Sequence, residues 1–238
     1  MTPHEHALSI LSSCFPQARL TPDALVSKHQ GRFANAHVFH YRDENYDLII
    51  KDFFHCPCAI RATLGRLGAY REFVALSKLQ GLPGISPSVY RLSPIAIAYT
   101  HISGKTLSDL KGKTLPPAFF HALETLVTRI HERGFVHLDM RNMGNILCGD
   151  NGSPYLIDFQ SAISLQNLPG PLRDLLCATD RSGIYKAWSR YCGEPLPSDK
   201  KQFLDNFNRL RKFWVLRGYP ISHFWRRLRK RKAANPPA

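Results

Sequence analysis

The chain has 238 residues, 44% of them hydrophobic, and a formal net charge of +14 from 32 basic and 18 acidic residues. That is enough apolar material for a full core, which excludes disordered and fibrous classes and suits one domain or one domain made of two lobes. Ten basic residues fall within 209–232 and no acidic residue follows Asp205, a charge asymmetry that attracts phosphate-rich partners such as nucleic acid, anionic lipid or lipopolysaccharide.

Residues 1–10 lack a basic segment followed by an apolar one, and no apolar run reaches the ~18 residues a membrane span needs. A soluble or peripheral protein is expected. Residues 38–41 and 46–54 read as strands joined by the polar turn Arg42-Asp43-Glu44-Asn45, a hairpin signal. Cys56-Pro57-Cys58 has no companion pair and no Cys/His cluster of zinc spacing. It reads, with Cys14, Cys148, Cys177 and Cys192, as reduced thiols of a cytosolic protein. Residues 60–79 carry Ile60, Leu64, Leu67 and Phe73 near helical spacing and stop at Gly81-Leu82-Pro83-Gly84. Two short strands follow at 89–92 and 95–100, divided by Ser93-Pro94. Beyond Gly104 the pattern turns helical, with Phe119, Leu123, Leu126, Val127 and Ile130 on one face and a stop near Arg133-Gly134. Two strands at 145–148 and 155–159 flank the turn 149–154. The rest is mainly helical, with one stripe at Phe203, Phe207, Leu210 and Trp214 and another at Ile221, Phe224, Trp225 and Leu228.

The chemistry concentrates in His137-Leu138-Asp139-Met140-Arg141-Asn142-Met143-Gly144-Asn145, followed by Ile157-Asp158-Phe159-Gln160. Helix, loop, strand, turn, strand and Asp-Phe occur in the order of the HxDxxxxN loop and DFG turn, and the segment resembles the protein-kinase-like superfamily. The resemblance runs from 51 to 174. It implies an α+β, two-lobed fold, with a small antiparallel-sheet N-lobe at about 20–100, a shortened helical C-lobe at about 105–215 and a basic tail at about 216–238. It also implies ATP and Mg²⁺ as cofactors. Asp139 would orient the acceptor hydroxyl, Asn145 and Asp158 would hold the metal, and Arg141 would stand where a lysine meets the transferred phosphate. His137 would support the loop. Upstream, Lys51 would grip the nucleotide phosphates and Glu72, 21 residues on, would pair with it. Gly31 is the single glycine of 27–33, where the family's phosphate-covering loop lies; an ordinary loop is the competing reading. Residues 99–104 resemble the segment that holds adenine through its backbone.

Four departures narrow the family. Asn145 lies six residues after Asp139 where five is usual, which makes Asn142 a rival ligand. Leu138 replaces the arginine of the HRD type, Gln160 replaces the glycine of DFG, and no Ala-Pro-Glu follows. This pattern is similar to the compact bacterial lipopolysaccharide kinases that phosphorylate Kdo or heptose, and to the related RIO-type kinases. Arg173-Asp174 and 180–185 resemble the helical region those families place beneath the site. The expected activity is phosphorylation of a lipid-linked sugar in the lipopolysaccharide core, in the cytoplasm or at the cytoplasmic face of the inner membrane. The basic, aromatic tail would touch anionic lipid there, and nucleic acid is the less favoured partner. A RIO-like Ser/Thr protein kinase and a silent pseudokinase are the alternatives.

Overall fold

A computed structural model of the chain describes all residues except 19, 20, 32, 111 and 214–238. It comprises two units, 1–196 and 197–238.

The first unit opens with α1 (Pro3–Cys14), started by a capping box. Thr2 Oγ1 accepts the Glu5 N–H while Glu5 Oε2 accepts the Thr2 N–H. Then come β1 (Leu25–His29), β2 (His37–Arg42), β3 (Asp47–Asp52), β4 (Val89–Ser93) and β5 (Ala96–Thr100), an antiparallel sheet of order β1-β2-β3-β5-β4. Strand alternation sorts its side chains. Phe39, Tyr41, Leu48 and Ile50 bury against Ala7 and Leu11 of α1 and Phe15 just after it, while Ile49, Ile97 and Tyr99 join the larger core on the other face. Lys51 lies on that second face because it is two residues from Ile49.

The helix expected at 60–79 begins earlier and changes pitch. It runs from α2 (Cys58–Ile60) through a π-helical stretch (Arg61–Gly65) into α3 (Arg66–Leu79). At Gly65 an added Cβ would stand 3.0 Å from Phe53 Cβ, so the missing side chain permits that contact. The buried face of α3 reads Ala69, Glu72, Ala75, Leu76 and Leu79. Glu72 therefore sits in an apolar stripe, where a carboxylate requires a partner.

The second half of this unit adds β6 (Gly104–Thr106), α4 (Pro117–Glu132), β7 (Phe135–Val136), β8 (Ile146–Gly149), β9 (Pro154–Leu156), β10 (Ile163–Ser164) and α5 (Gly170–Tyr191). Helix α4 buries all five residues of the expected stripe and ends before Gly134, whose φ of 79° suits a glycine at the helix stop. The strand expected at 155–159 ends at Leu156. Asp158 takes a left-handed conformation (φ 66°, ψ 69°), and a 3₁₀ turn, Phe159–Ser161, follows.

The second unit contains α6 (Ser198–Phe213), with Leu204 and Phe207 buried. Leu210, expected on the same apolar stripe, is 67% exposed. Trp214 and the tail at 216–238, including Ile221, Phe224, Trp225 and Leu228, lie outside the described residues. Among the described residues no helix is long and apolar enough to cross a membrane.

Gly183 of α5 packs on the loop carrying Asp139: an added Cβ would fall 2.4 Å from Met140 Cβ and 2.7 Å from its carbonyl carbon. Gly183→Ala is expected to destabilise the protein by about 1–3 kcal/mol through overpacking, despite the ~1 kcal/mol that alanine normally gains in a helix. A lower urea midpoint at unchanged slope is the expected result.

Candidate active site

Two carboxylates from two other elements converge on Lys51. Its Nζ donates to Glu72 Oε1 at 2.7 Å and Oε2 at 3.0 Å, and to Asp158 Oδ1 at 2.8 Å. Lys51 and Glu72 are buried, whereas the Asp158 side chain is 38% exposed. Glu72 also accepts the Phe159 N–H at 3.2 Å, tying α3 to the turn after Asp158. Burial pulls the Lys51 ammonium down, but Asp158 and Glu72 outweigh it and hold Lys51 above its ordinary range. For Asp158 burial again opposes the charge, and Lys51 wins, holding the carboxyl below the usual range. Burial dominates at Glu72 and keeps it high against the pull of Lys51.

A second buried carboxylate shapes the loop at 137–145. Asp180 of α5 is fully buried and accepts the backbone N–H of His137 and of Leu138, each at 2.8 Å, and His131 Nε2 at 3.1 Å. Leu138 has a φ of 64°, a strained conformation for a bulky residue, and Asp180 holds it there. His137 Nε2 donates to the Ile157 carbonyl at 3.0 Å, which leaves Nδ1 to accept the Asp139 N–H at 3.3 Å. Asn145 Nδ2 donates to Asp139 Oδ2 at 2.9 Å and to the Asp139 carbonyl at 3.2 Å. Asn142 Nδ2 donates to Asn145 Oδ1 at 3.2 Å, and its own oxygen caps Gly144. Burial raises the Asp139 pKa, with the hydrogen bonds from Asn145 and Asn142 opposing.

The structure thus brings Lys51, Glu72 and Asp158 into direct contact and links Asp139 to Asn145; the Asn145 carbonyl accepts the Ile157 N–H at 3.1 Å, next to Asp158. Arg141, expected to meet the transferred phosphate, donates from Nη1 to Ser182 Oγ of α5 at 3.0 Å. Gly31 lies in the turn between β1 and β2, where an added Cβ would stand 2.1 Å from the Asn35 carbonyl oxygen, so the chain closes on itself there. Gln160 sits in the 3₁₀ turn without a positive φ, so this position does not require glycine. Asp180 carried one sequence signal, a carboxylate in a segment otherwise read as packing beneath the site; its partners lie more than forty residues away.

The RIO-domain family matches residues 39–189. The chain belongs to the RIO family. Among solved structures, the Rio2 kinase-ADP/Mg²⁺-phosphoaspartate complex from Chaetomium thermophilum resembles this RIO chain with a TM-score of 0.54 and 20% identity, covering 80% of this chain and 67% of that one. A second Rio2 kinase structure from the same organism has a TM-score of 0.54 and 18% identity, covering 90% and 75%. At such identities the likeness is one of fold, and the fold is the α+β protein-kinase-like one. No curated protein sequence matches the chain.

Removing Lys51 leaves Glu72 buried without its cation. Lys51→Met is expected to cost about 3–5 kcal/mol in urea unfolding, and Lys51→Met with Glu72→Leu to recover most of that, because the unpaired buried charge is gone. An equal loss in the single and double variants would show that the ion pair does not set this stability.

Proposed function

We propose that this RIO-family chain is an atypical kinase that transfers a phosphoryl group from ATP, held with Mg²⁺, to a hydroxyl acceptor. The observation that carries the reading is the grouping of Lys51, Glu72 and Asp158 beside an Asp139–Asn145 pair, in the fold of the Rio2 kinases. ATP with Mg²⁺ supplies the phosphoryl group and part of the charge neutralisation. The residues present fit the metal: Asp158 and the Asn145 side-chain oxygen are the hard donors Mg²⁺ prefers, and the partly exposed Asp158 carboxylate is open to a further ligand. Lys51, kept cationic, would steady phosphate oxygens, with Glu72 fixing its rotamer. Asp139 would orient the hydroxyl and accept its proton, and burial moves its pKa in the direction a base needs. The β1–β2 turn at Gly31 and the backbone of 99–104 are the candidates for covering the nucleotide. Arg141, bound to Ser182, would act by holding the loop.

For the acceptor we favour a protein Ser or Thr hydroxyl. The family match supports the RIO alternative over a lipopolysaccharide-core sugar, whose membrane argument rested on the tail at 216–238, outside the described residues. We propose the cytoplasm as the site of the reaction. The assembled Lys51, Asp139, Asn145 and Asp158 support turnover over a silent pseudokinase.

The test is Mg²⁺-dependent transfer from labelled ATP to a generic protein substrate and to purified lipopolysaccharide core. Transfer to protein, reduced about 10²–10⁴-fold in Asp139→Ala, is the expected result. Transfer to the sugar alone would reassign the acceptor, and no Asp139-dependent transfer to either would overturn the reading.

The pH profile follows from the same geometry. Activity should fall as pH drops through the Asp139 pKa, which lies above the ~3.9 of a free aspartate. Asn142→Ala removes a hydrogen bond that favours the charged form, so its acid limb in kcat/KM should move to higher pH; an unmoved limb would deny Asp139 that role.

A further inference from the structure

A second cluster of ligand-type side chains lies apart from the catalytic grouping. His40 on β2, Asp47 at the head of β3 and His101, the first residue after β5, place one donor atom each within 4.8 Å of the others. His40 Nε2 is 2.6 Å from Asp47 Oδ1, and His101 Nδ1 is 3.3 Å from the same oxygen. The backbone sets this arrangement: β2 and β3 pair with Arg42 opposite Asp47, and the His101 N–H donates to the Asp47 carbonyl at 2.9 Å. The two imidazoles lie 4.3 Å apart, tilted by 39°.

Two features point beyond a shared hydrogen bond. His101 Nδ1 is shut off from solvent and finds no partner in good hydrogen-bonding geometry, Asp47 Oδ1 standing 3.3 Å away. Burial first, and then the neighbouring His40, push the His101 pKa down, so its lone pair is available at neutral pH. A nitrogen lone pair facing a carboxylate and a second imidazole is relieved by a cation placed among the three.

We infer that His40, Asp47 and His101 bind one transition-metal ion of the Zn²⁺ class. Two imidazole nitrogens and one carboxylate oxygen form a donor set for Zn²⁺, Co²⁺ or Ni²⁺, with a fourth position left for water or another ligand. The geometry is close to ready. Tetrahedral bonds of about 2.0–2.1 Å separate donors by roughly 3.3 Å, the distance already found between His101 and Asp47. The His40–Asp47 contact has to open by less than 1 Å. The ion differs in chemistry from the Mg²⁺ proposed at Asp158 and Asn145, where the donors are hard oxygens. It would cross-link β2 and β3 to residue 101, where the chain leaves the five-stranded sheet for β6, and so stiffen that connection.

The test is titration of the full chain with Co²⁺, read by its visible d–d absorption, together with thermal melting with and without Zn²⁺. The parent is expected to bind one equivalent at this site and to melt at a higher temperature with Zn²⁺. His40→Gln and His101→Gln should each weaken Co²⁺ binding at least tenfold and abolish the Zn²⁺-dependent rise in Tm, while Asp158→Asn retains both. Metal-free melting and far-UV circular dichroism establish that each variant is folded, and either histidine variant suffices if the other is not. Absence of Co²⁺ binding in the parent would overturn the inference. So would parent-like binding in the folded histidine variants, which would locate the metal elsewhere among the chain's 11 histidines.

Discussion

The ammonium of Lys51, shut from solvent between two carboxylates, is the contact on which the arrangement of the site depends. It joins a strand of the five-stranded sheet, a helix beside it and the turn following β9, elements separated by 21 and 107 residues in sequence. Taking these charges out of water is expensive, and the cost is offset only when geometry is good and the remaining donors and acceptors are satisfied. Glu72 meets that condition with two contacts to Lys51 and one from the Phe159 N–H. Asp158 keeps one side toward water, which is what a carboxylate needs if it is to exchange part of its bond to Lys51 for a metal.

Asp180 does for the loop what Lys51 does for the sheet and turn. A fully buried carboxylate with two backbone N–H groups and one imidazole on its oxygens forces Leu138 into a left-handed conformation and so aims Asp139 and Asn145. Leu138 and Asp158, both left-handed, stand next to Asp139 and at the contact with Lys51 respectively. Strain of this kind persists only where the surroundings over-determine it, and here α5, through Asp180 and the close seat of Gly183 on Met140, supplies the constraint.

Local pattern made the β2–β3 hairpin, the helix at 66–79 and the stripe of α4 legible, because alternation and 3.6-residue spacing are properties of neighbouring residues. The order of Asp139, Asn145 and Asp158 carried the resemblance to the protein-kinase-like superfamily, and that resemblance in turn implied Lys51 and Glu72. The capping box Thr2–Glu5 is likewise a local pattern of neighbouring residues. What escaped the sequence was set by distant partners: the hydrogen bonds of Asp180, the seating of Arg141 on Ser182, and the meeting of His40 with His101 across 61 residues. The hydrophobic run at 155–159 overstated its strand because nothing in composition marks Asp158 as left-handed. Helix α5 buries Asp180, Ser182 and Gly183 alongside Ile184, Ala187 and Trp188, so its inner face carries no apolar periodicity to read.

We propose that Asp158 and Asn145, organised by Lys51, make this RIO domain a Mg²⁺-dependent nucleotide site. Calorimetric titration of ADP with and without Mg²⁺, in the parent and in Asp158→Asn, tests it most directly. Mg²⁺ is expected to tighten ADP binding in the parent and to have no such effect in the variant. Equal affinity with and without Mg²⁺ in the parent, or an undiminished Mg²⁺ effect in Asp158→Asn, would contradict it.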